Sequence, residues 1–273
     1  MTTPPSSPSA AALTSRLRAA GCVFAEDEAR LLLSVPQSDA DLEAMIAQRV
    51  AGFPLEAILG WVVFCGLRIG VGPGVFVPRQ RTEFLVREAA RLSRPGAVVL
   101  DLGSGTGALG VALGSMVDGI ELHSTDIDTP AVACTRRNTE PLGGRVYQGD
   151  LFAPLPPELR GRIDIMLANV PYVPTDAIDL LPPEARDHEP LVTLDGGLDG
   201  LEVLRRVAAE ATDWLAPGGS LLIEIGDKQR AAATDAVTAG GLTARVVDSE
   251  EFYATVVIAQ KSPRPVVEAR EIA

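Results

Sequence analysis

Between residues 11 and 59 apolar positions recur three and four apart. AALTSRLRAAG stops at Gly21, and AEDEARLLLSV and DADLEAMIAQRVAG carry apolar stripes at helical spacing. Gly21 suits a helix stop, and Asp39 or Asp41 suits the start of the last of these stretches. The pattern predicts a small helical domain over 11–59, its stripes being packing surfaces. From Trp61 the period changes. WVVFCGLRIGVGPGVFV is rich in β-branched and aromatic residues and broken by glycines. It predicts a β-hairpin linking two domains over 60–78. Pro78 then precedes RQRTEFLVREAARL, an amphipathic helix.

A second regime begins at AVVLDLGSGTG. Residues 97–101 read as a buried strand entering a glycine turn, and 107–117 as a helix. IELHSTD, GRVYQGD and RIDIMLANV read as further strands, with TPAVACTRRNT as a helix among them. A long loop over 171–198, rich in proline, glycine and acidic residues, follows; such loops are functional or disordered. LDGLEVLRRVAAEATDWL and KQRAAATDAVTAG are helical and flank the strand GSLLIEIG. LTARVVDS and FYATVVIAQ close the domain as an antiparallel edge. Alternating strands and helices predict an α/β domain over 79–260, a mainly parallel sheet with helices on both faces.

Composition narrows the field. The formal charge of −12 over 273 residues argues against a general nucleic-acid binder. Cys22, Cys65 and Cys134 are scattered and odd in number, so they form neither a zinc pattern nor a disulfide framework. With only two histidines, no metal is expected. The polar, proline-rich residues 1–10 read as a disordered tail and 261–273 as a flexible one. No apolar run long enough for a membrane span and no signal peptide is visible, so the expected location is cytoplasmic.

In DLGSGTG, Gly103, Gly105 and Gly107 let the chain turn tightly and approach a ligand. No Lys-Ser/Thr follows, so this is not the phosphate loop of nucleotide hydrolases. Asp101 ends the first strand and suits a cationic ligand group better than a pyrophosphate. Asp126 ends the second strand and can accept from both hydroxyls of a ribose. Asp150, in QGDLF, lies within reach of an adenine edge. The glycines alone also fit a nicotinamide dinucleotide, or a turn that binds nothing.

Residues 97–107 resemble motif I of class I methyltransferases, which use S-adenosyl-L-methionine. NVPY at 169–172 resembles the Asn-Pro-Pro-Tyr motif of enzymes that methylate planar amide or amino nitrogens. PLEAILG, GVFVPRQRTEFLV, GDLF, PPEARDHEPLVTLDGGLDG and LLIEIGDKQ are similar to the release-factor glutamine N5-methyltransferases. That resemblance runs from about 54 to 259. It implies a Rossmann-like class I methyltransferase sheet behind a helical substrate-recognition domain. It further implies cofactor contacts at Asp101, Gly103, Gly105, Gly107, Asp126, Asp150, Leu151 and Asn169. On the acceptor side, Asn169 and the carbonyl of Val170 would orient an amide, Pro171 would stiffen the turn, and Tyr172 would wall the amide plane.

Read without the resemblance, Asn169 is equally a strand-end cap and Tyr172 plain packing. Two stretches depart from the family. Val170 stands where the family has its first proline, and QRTE stands for Pro-Glu-Thr-Glu, keeping Arg79, Thr82 and Glu83. The acceptor therefore stays open between a release factor, another protein's glutamine, and a small-molecule amide or amino group. A noncatalytic cofactor-binding interaction protein is the remaining alternative. His188 reads as a surface residue and His123 as structural. Glu184, Arg186 and Glu189 read as a charge set ordering the long loop. Glu224 either orients backbone at the site or caps the sheet.

Overall fold

A computed structural model describes residues 9–35 and 38–263. Of the tails expected at 1–10 and 261–273, only residues 9–10 and 261–263 are among them, and Ala10 already opens the first helix. Helices α1 (Ala10–Ala19), α2 (Ala25–Ser34), α3 (Asp39–Val50) and α4 (Leu55–Leu59) share a core of Leu13, Leu17, Leu32, Leu42 and Ile46, separate from that of the sheet. The start of α3 is a capping box. The Ser38 hydroxyl accepts from the Asp41 N–H, and the Asp41 carboxylate accepts from the Ser38 N–H. Asp41 thus supplies half of the cap, and the N-cap residue itself is Ser38.

Strands β1 (Trp61–Phe64) and β2 (Leu67–Gly70) pair antiparallel as the expected hairpin. They are more than a linker. Val62, Phe64 and Ile69 face one way and pack into the main core with Leu85, Val86 and Ala89 of α5 (Glu83–Leu92). Asn138 binds both polar groups of Gly70: its Oδ1 accepts from the amide and its Nδ2 donates to the carbonyl. The helix expected after Pro78 begins only at Glu83, because Gln80–Thr82 form a 3-10 turn.

The main domain continues as β3 (Val98–Leu102), α6 (Ala108–Met116), β4 (Glu121–Asp126), α7 (Thr129–Thr139), β5 (Arg145–Gln148) and β6 (Ile163–Ala168). A short α8 (Pro183–Arg186), α9 (Glu202–Trp214), β7 (Leu215–Ile225), α10 (Arg230–Ala239), β8 (Thr243–Ser249) and β9 (Ala254–Gln260) complete it. The sheet order is β5-β4-β3-β6-β7-β9-β8. All neighbours are parallel except β9, which runs antiparallel to β7 and β8. The near-continuous apolar runs of β3 and β6 follow from this position, with helices burying both faces. One face packs on α5, α6 and the hairpin, the other on α9 and α10. Leu102 pairs with Thr125 on one side and Ala168 on the other, so β3, β4 and β6 end at a common edge. The loop over 171–198 is not structureless. It holds α8, two 3-10 turns and a bridge from Val173 to Asp195. No helix among the described residues is long and apolar enough to cross a membrane.

Phe64 is fully buried. Phe64→Ala should therefore cost about 3–5 kcal/mol of stability in urea unfolding. A loss below about 1 kcal/mol, the value for a mere connector, would contradict the packing of the hairpin into the core.

Candidate functional site

The sheet order reverses between β3 and β6. From β3 the chain moves toward β4 and β5; from β6 it moves toward β7. Such a switch point leaves a crevice at the strands' carboxyl ends. Here the crevice is a cavity of about 190 Å³, lined by Gly103, Gly105, Asp126, Asp150, Leu151 and Asn169, among others. The first two glycines take φ of 67° and 56°, the left-handed region. Among the described residues a Cβ built on Gly105 meets nothing within 4 Å, which leaves the backbone there bare toward the cavity. Asp126 is held by its surroundings. Its Oδ2 accepts from the Gly105 N–H at 2.7 Å and its Oδ1 from the Asp128 N–H at 2.9 Å. Burial raises its carboxyl above the usual range, against the pull of those two N–H groups. Each oxygen keeps a lone pair for a further donor such as a ribose hydroxyl. Ile127, Leu151 and Val203 add apolar walls suited to a flat aromatic ring.

Two expected cavity residues are elsewhere. Asp101 is buried beneath α6, and its carboxylate accepts from the Gly110 N–H at 3.0 Å. The alternation of side chains along β3 turns it to the helix side, so it does not line the cavity. Burial with that single N–H partner raises its carboxyl to about 7. Gly107 is the N-cap of α6, and a Cβ on it would lie 3.0 Å from Thr135 Cγ2. It permits close helix packing and is not among the residues lining the cavity. Asp150 reaches the cavity rim, where Arg206 pairs with it at 2.5 Å on an exposed face.

Beyond β6 lies a second cavity, of about 210 Å³, whose walls include Arg79, Arg81, Tyr172, Leu181 and Glu184. Phe76, Asn169, Val170 and Thr193 line both cavities. Asn169 directs its Nδ2 to the Thr82 hydroxyl at 3.5 Å. Among the described residues no donor is bonded to its Oδ1 or to the Val170 carbonyl. Two acceptors therefore stand unpaired where the cavities meet. Pro171 borders the first cavity and Tyr172 the second. Burial, and then Glu224, push the Tyr172 phenol well above its ordinary range.

Sequence reasoning did not single out Arg81 or Gln229, and it left the role of Glu224 open. Arg81 donates to Glu224 and to Tyr172. Gln229 donates to the Tyr172 carbonyl at 2.9 Å. Their partners lie far away in the chain, and no local pattern announces them. The expected charge set of the long loop is divided among separate partners. Glu189 is buried and pairs with Arg79, Glu184 pairs with Arg49 of α3, and Arg186 pairs with its neighbour Asp187. His188 is half-buried against Phe53, with ring centroids 4.1 Å apart, and so is not a free surface residue. His123 is structural as expected, bonded to Tyr147 and Glu121. No group of three or more metal-ligating side chains occurs among the described residues.

A seven-stranded sheet of this order, with a glycine-lined crevice at its switch point, is that of a class I methyltransferase. The methyltransferase small domain family matches residues 67–180. The release factor glutamine methyltransferase of Geobacter sulfurreducens is 39% identical over 193 residues, spanning 70% of this chain and 67% of its own. That of Streptomyces coelicolor is 39% identical over 206 residues, 72% of each chain. That of Cereibacter sphaeroides is 38% identical over 228 residues, 80% of each. At the level of fold, a methyltransferase from Pyrococcus furiosus superposes with a TM-score of 0.55 at 20% identity, over 72% of this chain and 90% of that one. The T. thermophilus 16S rRNA N2 G1207 methyltransferase, in complex with AdoMet and guanosine, gives 0.53 at 22%, over 74% and 49%. This chain belongs to the release factor glutamine methyltransferase family, and it is an enzyme of the methyl-transferring class.

The raised carboxyl of Asp101 has a consequence for stability. Between its ordinary value of 3.8 and about 7, the folded protein retains a proton that the unfolded chain releases. Stability from this group is complete below that window, falls as pH rises through it, and is level above. Asp101→Asn should remove a decline of roughly 4 kcal/mol between those limits. Urea unfolding of both proteins at several pH values, without cofactor, measures the difference. Parallel stability profiles would contradict the burial of an underpartnered carboxyl.

Proposed function

We propose that this protein transfers a methyl group from S-adenosyl-L-methionine to the side-chain amide nitrogen of a glutamine in a peptide chain release factor. The observation that carries the reading is the shared wall of the two cavities at Asn169 and Val170, with two unpaired acceptors on it. The family membership supports the acceptor, and the bare Gly105 backbone beside the Asp126 carboxylate fits the cofactor. When bound, that cofactor supplies an electrophilic methyl group on a sulfonium.

The residues divide the work as follows. Asp126 accepts from the ribose hydroxyls through charge-assisted hydrogen bonds. Gly103 and Gly105 keep side chains out of the cofactor's path. Leu151, Ile127 and Val203 enclose the adenine, with Asp150 at its polar edge. An amide nitrogen is a weak nucleophile because its lone pair is delocalised into the carbonyl. Asn169 Oδ1 and the Val170 carbonyl accept its two N–H bonds and aim the nitrogen across the shared wall. Both also stabilise the positive charge that grows on those hydrogens as the N–C bond would form and the S–C bond break, releasing the thioether; one of the two protons then leaves to solvent, giving a neutral N-methyl amide. Pro171 stiffens the turn, and the ring of Tyr172 lies along the amide plane. Asp101 and Gly107 act behind this surface, supporting the turn and helix α6. The four N-terminal helices select the protein acceptor, since Arg49 of α3 reaches Glu184 at the rim of the second cavity. The setting we propose is the cytoplasm.

Two variants separate the halves of the site. Asp126→Ala should weaken cofactor binding severalfold or more in calorimetry, and equal affinities would remove Asp126 from the site. Asn169→Ala should leave cofactor affinity nearly unchanged. Its single-turnover methyl transfer should fall about 30- to 1000-fold, equivalent to roughly 2–4 kcal/mol in the transition state. A variant within about threefold of wild type would refute the amide clamp.

A further inference from the structure

Tyr172 is fastened at both ends by side chains to which the proposed chemistry gives no part. At its ring end, the hydroxyl donates to Glu224 Oε1 at 2.9 Å and accepts from Arg81 Nη2 at 2.5 Å. Arg81 Nε donates to the same Glu224 oxygen at 3.0 Å, which closes a triangle. At its backbone end, Gln229 Nε2 donates to the Tyr172 carbonyl and to the Asp199 carbonyl, each at 2.9 Å. The Gln229 oxygen accepts in turn from the Gly226 N–H at 2.8 Å. Gly200 makes room for this staple, since a Cβ there would lie 2.2 Å from the Tyr172 carbonyl oxygen. Glu224 lies at the end of β7, an interior strand of the sheet, and Gln229 in the 3-10 turn Asp227–Gln229 that follows it. The ring is thus referenced to the rigid sheet and not to its own loop.

Two features separate this arrangement from ordinary loop packing. Glu224 is 2% exposed, yet both of its contacts fall on Oε1, and its buried Oε2 has no partner among the described residues. A buried acceptor without a donor costs about 1–3 kcal/mol, so an arrangement selected for stability alone would not keep it. Arg81, moreover, lines the second cavity, with nearly half of its side chain exposed. The latch is therefore built into the cavity wall itself.

We propose that Arg81 and Glu224 are positioning residues for methyl transfer, acting through the Tyr172 hydroxyl to set the ring angle against the acceptor amide, with Gln229 fixing the backbone beneath it. The proposal rests on the amide-methylating function above. Loss of the hydroxyl, or of the groups that hold it, frees the ring to tilt. The nitrogen then spends less time aligned, so turnover falls while cofactor binding does not.

A double-mutant cycle with Tyr172→Phe and Glu224→Met, the latter of similar size but without an acceptor oxygen, tests this, using full-length enzyme, a recombinant release factor and cofactor varied up to saturation. Each single variant should lower kcat about tenfold, with cofactor KM within about twofold of wild type. The double variant should fall no more than about threefold below the slower single, because both remove the same latch. Arg81→Gln, at a half-exposed position, replaces Glu224→Met in the cycle if that buried variant does not fold. Losses that multiply, singles within about twofold of wild type, or cofactor KM rising in step with lost kcat would each overturn the proposal. A wild-type enzyme that leaves every glutamine of the release factor unmethylated would instead overturn the underlying function, an outcome distinct from multiplying losses in an active enzyme.

Discussion

Strands β3 and β6 lie side by side, and the chain leaves their common edge in opposite directions. That parting is the constraint on which the site depends. It leaves backbone at both strand ends uncovered by further sheet, within one van der Waals layer of each other. A Cβ on Gly103, after β3, would lie 3.5 Å from Val170 Cγ1, after β6. The glycine turn and the NVPY turn are therefore two sides of one wall. A cofactor held by the first and an acceptor held by the second need cross no more than that wall to react. The proposed chemistry follows from the closeness, because an amide nitrogen needs positioning more than it needs a base.

The long loop connects this wall to the N-terminal helices. Glu189 is buried against Arg79 and also accepts from the Val77 N–H. On its other side Glu184 meets Arg49, which is itself buried with Glu28 and donates to the Phe53 carbonyl. Phe53 stacks on His188. The segment 184–189 is thus gripped from both directions. Buried ion pairs of this kind are poor sources of net stability, since desolvation offsets most of the attraction. They do specify one arrangement, because breaking either partner strands a charge. Here the arrangement so specified runs from the helices proposed to read the acceptor to the cavity proposed to receive it.

Much of this was legible in the chain. The strand-turn-helix of DLGSGTG and the strand before Asn169 have strong local signals, namely apolar runs, glycines at a turn, and an acidic strand end at Asp126. Side-chain direction was harder to read. Asp101 and Gly107 belong to the same motif as Gly105, yet the pleat of β3 and the packing of α6 on α7 turn them away from the cavity. The hairpin was visible as a hairpin, but its alternation says nothing of which core receives Phe64. The Tyr172 latch left no local trace, because Arg81, Tyr172 and Glu224 lie 91 and 52 positions apart in sequence. Only the folding of the sheet brings them together. Arg81 falls in the stretch where the sequence departs from its family, and there resemblance offers no guide.

The central claim is that the methyl group arrives on a side-chain amide nitrogen presented across the Asn169–Val170 wall. Heteronuclear NMR tests it most directly. A release factor labelled at its glutamine side-chain nitrogens would be incubated with the enzyme and S-adenosyl-L-methionine. The account predicts that one paired NH2 signal disappears and is replaced by a single N–H correlation whose nitrogen bears a methyl group. Intact NH2 pairs throughout, with the methyl group found on oxygen, on backbone or on another residue type, would contradict it.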